Sequence, residues 1–198
     1  DVIFHLAGRA HALADSPGER EAYRSANLQS TLDLLDAARA GGVRAFVYFS
    51  SVKASSAQGA DPQEAPSWED HYGRSKREAE AAVLGGDTVP HPVVLRPALV
   101  YGPNPKGYLG LLIRAVRAGW FPPLAEVGNA RSMVHREDLA EAAMRCAFDP
   151  RAAGKTYVVT DGTPYSTRQI YEYILDALGR KPPRWNLPLS VLGGAARV

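Results

Sequence analysis

The chain has 198 residues and a formal net charge of +2, with 45% hydrophobic and 22% charged residues, the balance of an ordinary globular protein long enough to bury a sizeable core. Its basic residues are scattered, with no Lys/Arg block or aromatic ladder, which argues against a nucleic-acid binder. Cys146 is the only cysteine, so an internal disulfide is excluded; no apolar run is long enough to span a bilayer and no signal peptide opens the chain, so a cytoplasmic protein without a transmembrane segment or a metal site is expected.

The opening residues, Asp1-Val2-Ile3-Phe4-His5-Leu6-Ala7-Gly8, read at once as a buried strand, an abrupt start that suggests a fragment. At Ala7-Gly8 small side chains let an extended ligand approach the backbone closely, although Gly8 alone serves equally well as a simple turn. His5, inside the strand, reads as a satisfied interior histidine. Glu19 to Ala40 predicts one long helix, with Leu28, Leu32, Leu35 and Ala38 near helical spacing and Gly41-Gly42 as its stop. The next strand, Val43 to Phe49, is β-branched and aromatic and ends at Ser50-Ser51. The stretch from Lys53 to Asp70 reads as a functional loop, in which Lys53 is an exposed lysine or a phosphate contact.

Tyr72-Gly73-Arg74-Ser75-Lys76 opens a run of helix formers that ends near Gly85-Gly86. Pro92 to Arg96 predicts another buried parallel strand, and Pro97 shapes a rigid wall at its carboxyl end. A turn-rich segment, Tyr101 to Gly107, leads into a helix from Tyr108 to Ala118; Lys106 at that entry is a candidate anion contact or part of a capping loop. Trp120 to Leu124, kinked by two prolines, packs a small domain against the sheet or stacks on a base. Arg131 to His135 precedes a helix with Glu137 and Asp138 in its first turn, and Cys146 falls in that helix's apolar pattern as a buried small residue. Lys155 to Val159 reads as a strand, Ser166 as the cap of a helix from Thr167 to Leu178 stopped by Gly179, and from Pro182 the chain turns proline-rich and then apolar.

Tyr72 and Lys76 are four residues apart, so both project from one helical face, and the two serines sit at a strand's carboxyl end, where open α/β sheets bind ligands. A phenol beside a fixed ammonium ionises more easily. It can exchange a hydroxyl proton while a serine hydroxyl holds the same oxygen, which is acid-base chemistry at a carbinol or carbonyl that lacks only a hydride acceptor.

Ser51 with Tyr72-Gly73-Arg74-Ser75-Lys76, followed by Arg96-Pro97-Ala98-Leu99-Val100-Tyr101-Gly102-Pro103 and Arg131-Ser132-Met133-Val134-His135, closely resembles the extended short-chain dehydrogenase/reductases, and among them the NAD-dependent epimerase/dehydratase branch. The resemblance implies a Rossmann-like doubly wound parallel sheet lacking its first βαβ units. Residues 1–103 would be the later part of the NAD(P)-binding domain; residues 104–198 would be mainly a substrate-binding region, with some segments returning to the first domain. It implies catalysis by Ser51, Tyr72 and Lys76, cofactor contacts from Ala7, Gly8, Asn27, Ser50, Tyr72, Lys76 and Pro97, and substrate contacts from Ser51, Tyr72, Lys106 and Arg131. For Arg131 the competing reading is an ion pair with Glu126 or Glu137. NAD is the implied cofactor, with NADP open, and a nucleotide-diphosphate sugar the implied substrate; the full-length protein would be a homodimer.

The implied activity is that of a nucleotide-sugar 4-epimerase, of the kind found in surface-polysaccharide pathways. A one-way 4-keto-sugar reductase is the near alternative. A dehydratase fits less well because Val52-Lys53 stands where those relatives place an acidic pair, and retention of Ser51, Tyr72 and Lys76 together counts against a non-catalytic dinucleotide-binding protein. The glycine-rich loop Gly-x-x-Gly-x-x-Gly of this family occurs nowhere in the 198 residues.

Overall fold

The computed structural model describes residues 1–10, 18–56, 68–85, 89–105, 107–123, 125 and 128–187. These residues fold as two compact units, Asp1–Ala98 with Arg136–Val159 and Leu99–His135 with the chain from Thr160.

In the first unit, strand β1 (Val2–His5) is followed by α1 (Glu19–Tyr23), a π-helical stretch over Arg24–Gln29 and α2 (Ser30–Ala40). The predicted single helix is thus interrupted in register but not in course. Gly42, at φ 64, supplies the left-handed residue that ends it. Strand β2 (Ala45–Phe49) leads through Ser50-Ser51 to a four-residue helix α3 (Lys53–Ser56), so part of the expected loop is helical. Helix α4 (Trp68–Leu84) starts a turn before Tyr72, earlier than the run of helix formers indicated, and β3 (His91–Pro97) follows it.

The second unit opens with β4 (Leu99–Tyr101), then α5 (Gly107–Arg117) and β5 (Arg131–His135). The chain returns to the first unit through α6 (Arg136–Phe148), a single 3₁₀ turn and β6 (Lys155–Val159). It closes in the second unit with β7 (Pro164–Tyr165) and α7 (Thr167–Ala177). The observed boundary lies at Ala98 and not at residue 103, because Leu99–Tyr101 leaves β3 and pairs with Met133–His135 instead.

All strands of the first unit's sheet are parallel, in the order β1-β2-β3-β6. One face carries Phe46, Tyr48 and Val94, which pack with Leu35 and Ala38 of α2 and Ala79 and Val83 of α4. The side chains that alternate with these, Ala45, Val47, Val93 and Leu95, are fully buried on the other face. There α6 packs across β2 and β3 and is tied down by Arg44 and His91, whose side chains donate to the carbonyls of Ala147 and Cys146 at 3.0 and 2.7 Å. Both faces are therefore covered, which is why β2 and β3 read as nearly continuous apolar runs.

In the second unit, α5 and α7 pack their apolar stripes together around Leu109, Leu112, Val116, Ile170, Tyr171 and Leu175, with Met133 of β5 beneath them. Ser166 and Gln169 form a reciprocal capping box at the start of α7. Phe121 packs on Tyr171, whereas Trp120 is 86% exposed.

Phe46 is fully buried in the sheet core. Phe46→Ala should lower the unfolding free energy measured in urea by about 3–5 kcal/mol, whereas truncating Leu111, 55% exposed on α5, should change it by less than about 0.5 kcal/mol.

Candidate active site

The carboxyl ends of β1, β2 and β3 meet the first turns of α4. Ser50 and Val52 prolong the pairing beyond β2, with backbone N–H groups donating to the carbonyls of Leu95 at 2.7 Å and Pro97 at 3.2 Å. That zipper fixes Ser51 between two held neighbours. The Ser51 hydroxyl accepts from the Lys53 N–H at 3.2 Å, and it lies near enough to the Tyr72 phenol to affect its ionisation.

Tyr72 itself is held from two sides. Its ring packs against the fully buried Tyr23 at 5.8 Å, and its carbonyl accepts the Ser75 hydroxyl at 2.8 Å. Burial raises its pKa above the usual tyrosine range; the bond from Ser51 pulls it down and the Tyr23 phenol adds a further rise. The expected lowering by Lys76 is not found. The ammonium is committed elsewhere, to the Phe49 carbonyl at 3.0 Å and the face of Tyr48 at 4.8 Å. In this state Tyr72 is protonated at neutral pH and poised as a proton donor.

Lys76 is 5% exposed, and burial pulls its pKa down to about 8 against the raising effect of Glu80. The groups around it stay neutral beside that charge. His5 is lowered by burial and then by the Lys76 charge, and the Tyr48 phenol is pushed well up by burial. His5 Nε2 donates to the Thr31 hydroxyl at 2.9 Å, since the single Thr31 proton goes to the Asn27 carbonyl at 2.6 Å.

Asn27 lies in the π-helical stretch with its side chain fully buried. It is not the solvated amide that mid-helix placement would usually give. Its Oδ1 accepts from the Arg9 N–H at 2.7 Å, while Nδ2 donates to the Arg9 carbonyl at 3.1 Å and to the Ser75 hydroxyl at 2.9 Å. One amide thereby ties the segment after β1 to the helix that carries Tyr72. A π turn widens the helix by one residue and is frequent at functional sites.

Beside this network the chain after β1 leaves room at small residues. A Cβ on Gly8 would lie 2.7 Å from Asn27 Oδ1 and 3.2 Å from Lys76 Nζ, so only glycine leaves both polar groups reachable there. Ala7 and Gly8 are exposed, forming an open floor of small residues. Among the described residues the Ser50 hydroxyl is buried without a hydrogen-bond partner, and the Lys76 ammonium makes a single hydrogen bond although it carries three donors. Spare donors beside a shallow backbone floor suit a polyhydroxyl group, and no cluster of described residues could hold a metal ion.

The first unit thus brings together Ala7, Gly8, Asn27, Ser50, Ser51, Tyr72, Lys76 and, through Val52, Pro97. Lys106 lies outside the described residues. Arg131 belongs to the second unit, where it is exposed at the start of β5 with its guanidinium 4.9 Å from the Tyr108 ring centre. Three contributors escaped the sequence reading: Ser75, Tyr23 and the buried Glu80. For Glu80 a signal existed, an acid one helical turn after Lys76.

Residues 1–160 match the NAD dependent epimerase/dehydratase family. The chain belongs to that family. It is 33% identical over 202 residues to a UDP-glucose 4-epimerase of Vibrio cholerae, covering 96% of this chain and 60% of the relative. Its fold is similar to that of the Bordetella bronchiseptica enzyme WbmG in complex with NAD and UDP, with TM-score 0.74, 21% identity and coverage of 94% of this chain and 58% of that one. It is similar too to RMD from Pseudomonas aeruginosa complexed with NADPH, with TM-score 0.71, 26% identity and coverage of 91% and 68%. The chain spans 60% of the length of the Vibrio cholerae relative and 58% of another curated one that it matches. Among the described residues no helix is long and apolar enough to cross a membrane.

A lysine whose folded pKa lies below its unfolded value costs stability while it is charged. For Lys76 the cost is complete below about 8 and is relieved as pH rises from there toward the unfolded value of 10.5, because the unfolded chain then retains the extra proton. Urea unfolding should therefore show stability rising between pH ~8 and ~10 by up to about 3 kcal/mol, a rise that Lys76→Met removes.

Proposed function

We propose that the full-length protein is an NAD-dependent 4-epimerase of nucleotide-diphosphate sugars, of the UDP-glucose or UDP-N-acetylhexosamine type. The observation that carries this reading is Ser51, at the end of β2, near enough to the Tyr72 phenol to pull its pKa down, with Tyr72 one helical turn before the buried ammonium of Lys76, in a chain of this family. The similarity to the Vibrio cholerae 4-epimerase supports the choice of reaction.

In this mechanism Ala7 and Gly8 form the floor for the dinucleotide, Pro97 a wall, and Lys76 and Ser50 donate to its ribose end. When bound, the nicotinamide supplies reversible oxidation at the sugar C4. Ser51 donates to the C4 oxygen and fixes it within reach of the Tyr72 oxygen. Tyr72 in its phenolate form, its own proton already released to solvent, takes the proton of the C4 hydroxyl as the carbinol is oxidised and returns it when the ketone is reduced on its other face. Asn27, through Ser75, keeps the helix of Tyr72 in register with the β1 end, so the proton relay and the cofactor floor move as one body. Lys106 and Arg131 would meet the diphosphate, a contact suited to the bidentate guanidinium.

One observation favours a second reading. A Tyr72 phenol that burial keeps protonated is ready to donate to a ketone oxygen, which is the first step asked of a one-way 4-keto-sugar reductase. An epimerase turns over without net loss of reduced cofactor, whereas a reductase consumes one equivalent per product.

Full-length protein incubated with UDP-glucose or UDP-N-acetylglucosamine and NAD should form the C4 epimer with no accumulation of NADH. Tyr72→Phe should reduce kcat roughly 10²–10⁴-fold with little change in KM. Equal activity of wild type and Tyr72→Phe on every nucleotide sugar tried would refute the enzyme reading.

A further inference from the structure

Arg96, near the carboxyl end of β3, reaches the 4% exposed Glu80 of α4 through two parallel bonds, Nε to Oε1 at 2.9 Å and Nη2 to Oε2 at 2.5 Å. Its remaining nitrogen, Nη1, donates to the Ser55 hydroxyl on α3 at 2.9 Å. One guanidinium therefore joins β3, the short helix that follows Ser51, and the helix that carries Tyr72 and Lys76. Stability alone is a weak account of such a clasp, because desolvation of a buried ion pair cancels much of its Coulomb attraction. Its position relative to Lys76 is the informative feature: Glu80 lies one helical turn on, on the same face.

We propose that the Glu80–Arg96 pair is a positioning device for Lys76, placing a fixed negative charge behind the ammonium and locking the Ser51 and Tyr72 arms to the same strand. Among the described residues the charged or titratable groups that face Lys76 are His5 from β1, Tyr48 from β2 and Glu80 on its own helix. His5 and the Tyr48 phenol are neutral near pH 7 for the reasons given above. Glu80 is thus the anion among them, and it is the group that opposes the effect of burial on Lys76. Arg96, charged at every accessible pH, supplies the carboxylate's hydrogen bonds and orients it. Neither residue touches the reacting atoms.

The proposal rests on the assignment of Lys76 to the cofactor only in its second readout. In full-length protein labelled at lysine, with Lys76 assigned by its loss in Lys76→Met, NMR follows the Nζ titration directly. Glu80→Gln should lower the Lys76 midpoint by about one unit, a tenfold fall in the ammonium-to-amine ratio at a given pH, and Glu80→Asp should restore part of it. If Glu80→Gln does not fold, the double variant Glu80→Gln/Arg96→Met, which leaves no lone charge buried, should show a downward shift as well. A folded variant of either kind with the Lys76 midpoint of wild type overturns the proposal. NADH affinity across the same pH range should weaken at lower pH in Glu80→Gln than in wild type. A midpoint that moves while NADH affinity does not still supports the positioning role and counts instead against the assignment of Lys76 to the cofactor.

Discussion

A single buried ammonium governs this site. Lys76 is carried by α4 into the end of the sheet, where it donates to the carbonyl of Phe49, the last residue of β2. Taking a charge that far from water is costly, and its lowered pKa is the measure of that cost. The surrounding residues limit the cost in three ways: a backbone carbonyl, the face of a neutral phenol, and a carboxylate one turn along the helix. The same contacts set the distance between β2 and α4, so the charge and the geometry of the site are one constraint.

Around that ammonium the polar network is built from local chemistry. A π-helical register turns Asn27 inward, and its amide bridges Arg9 to Ser75. Ser75 then holds the carbonyl of Tyr72, while the backbone pairing of Ser50 and Val52 with β3 holds Ser51. Tyr72 is thereby held by its helix and its ring partner. In the proposed reaction such preorganisation would leave little reorganisation to the reacting state. It also explains why Gly8 tolerates no side chain: the two groups a Cβ would strike, Asn27 and Lys76, are the hubs of the network.

Much of this was legible in the residues. The parallel strands announced themselves as short β-branched runs because both sheet faces are covered, and Tyr72 and Lys76 share a helical face because four residues make about one turn. What stayed hidden was set by tertiary contact. Nothing in the local pattern of Arg24 to Gln29 distinguishes a π register from an α-helix, so only the resemblance singled out Asn27. Spacing places Lys76 beside Tyr72 but does not tell which carbonyl its ammonium meets, and the expectation of a lowered Tyr72 failed for that reason. Glu80 looked like one more helix former until Arg96, sixteen residues away, closed on it. The exposure of Trp120 likewise depends on what the folded chain offers it, which composition does not record.

The central claim is that the buried ammonium of Lys76 holds the dinucleotide's ribose end, and its most direct test is equilibrium binding of NADH to full-length wild type and Lys76→Met at neutral pH. Hydrogen bonds from a charged donor are worth roughly 1.5–3 kcal/mol, so the account predicts a dissociation constant about 10- to 100-fold weaker in the variant. An NADH affinity equal to that of wild type, in a variant that remains folded, would contradict it.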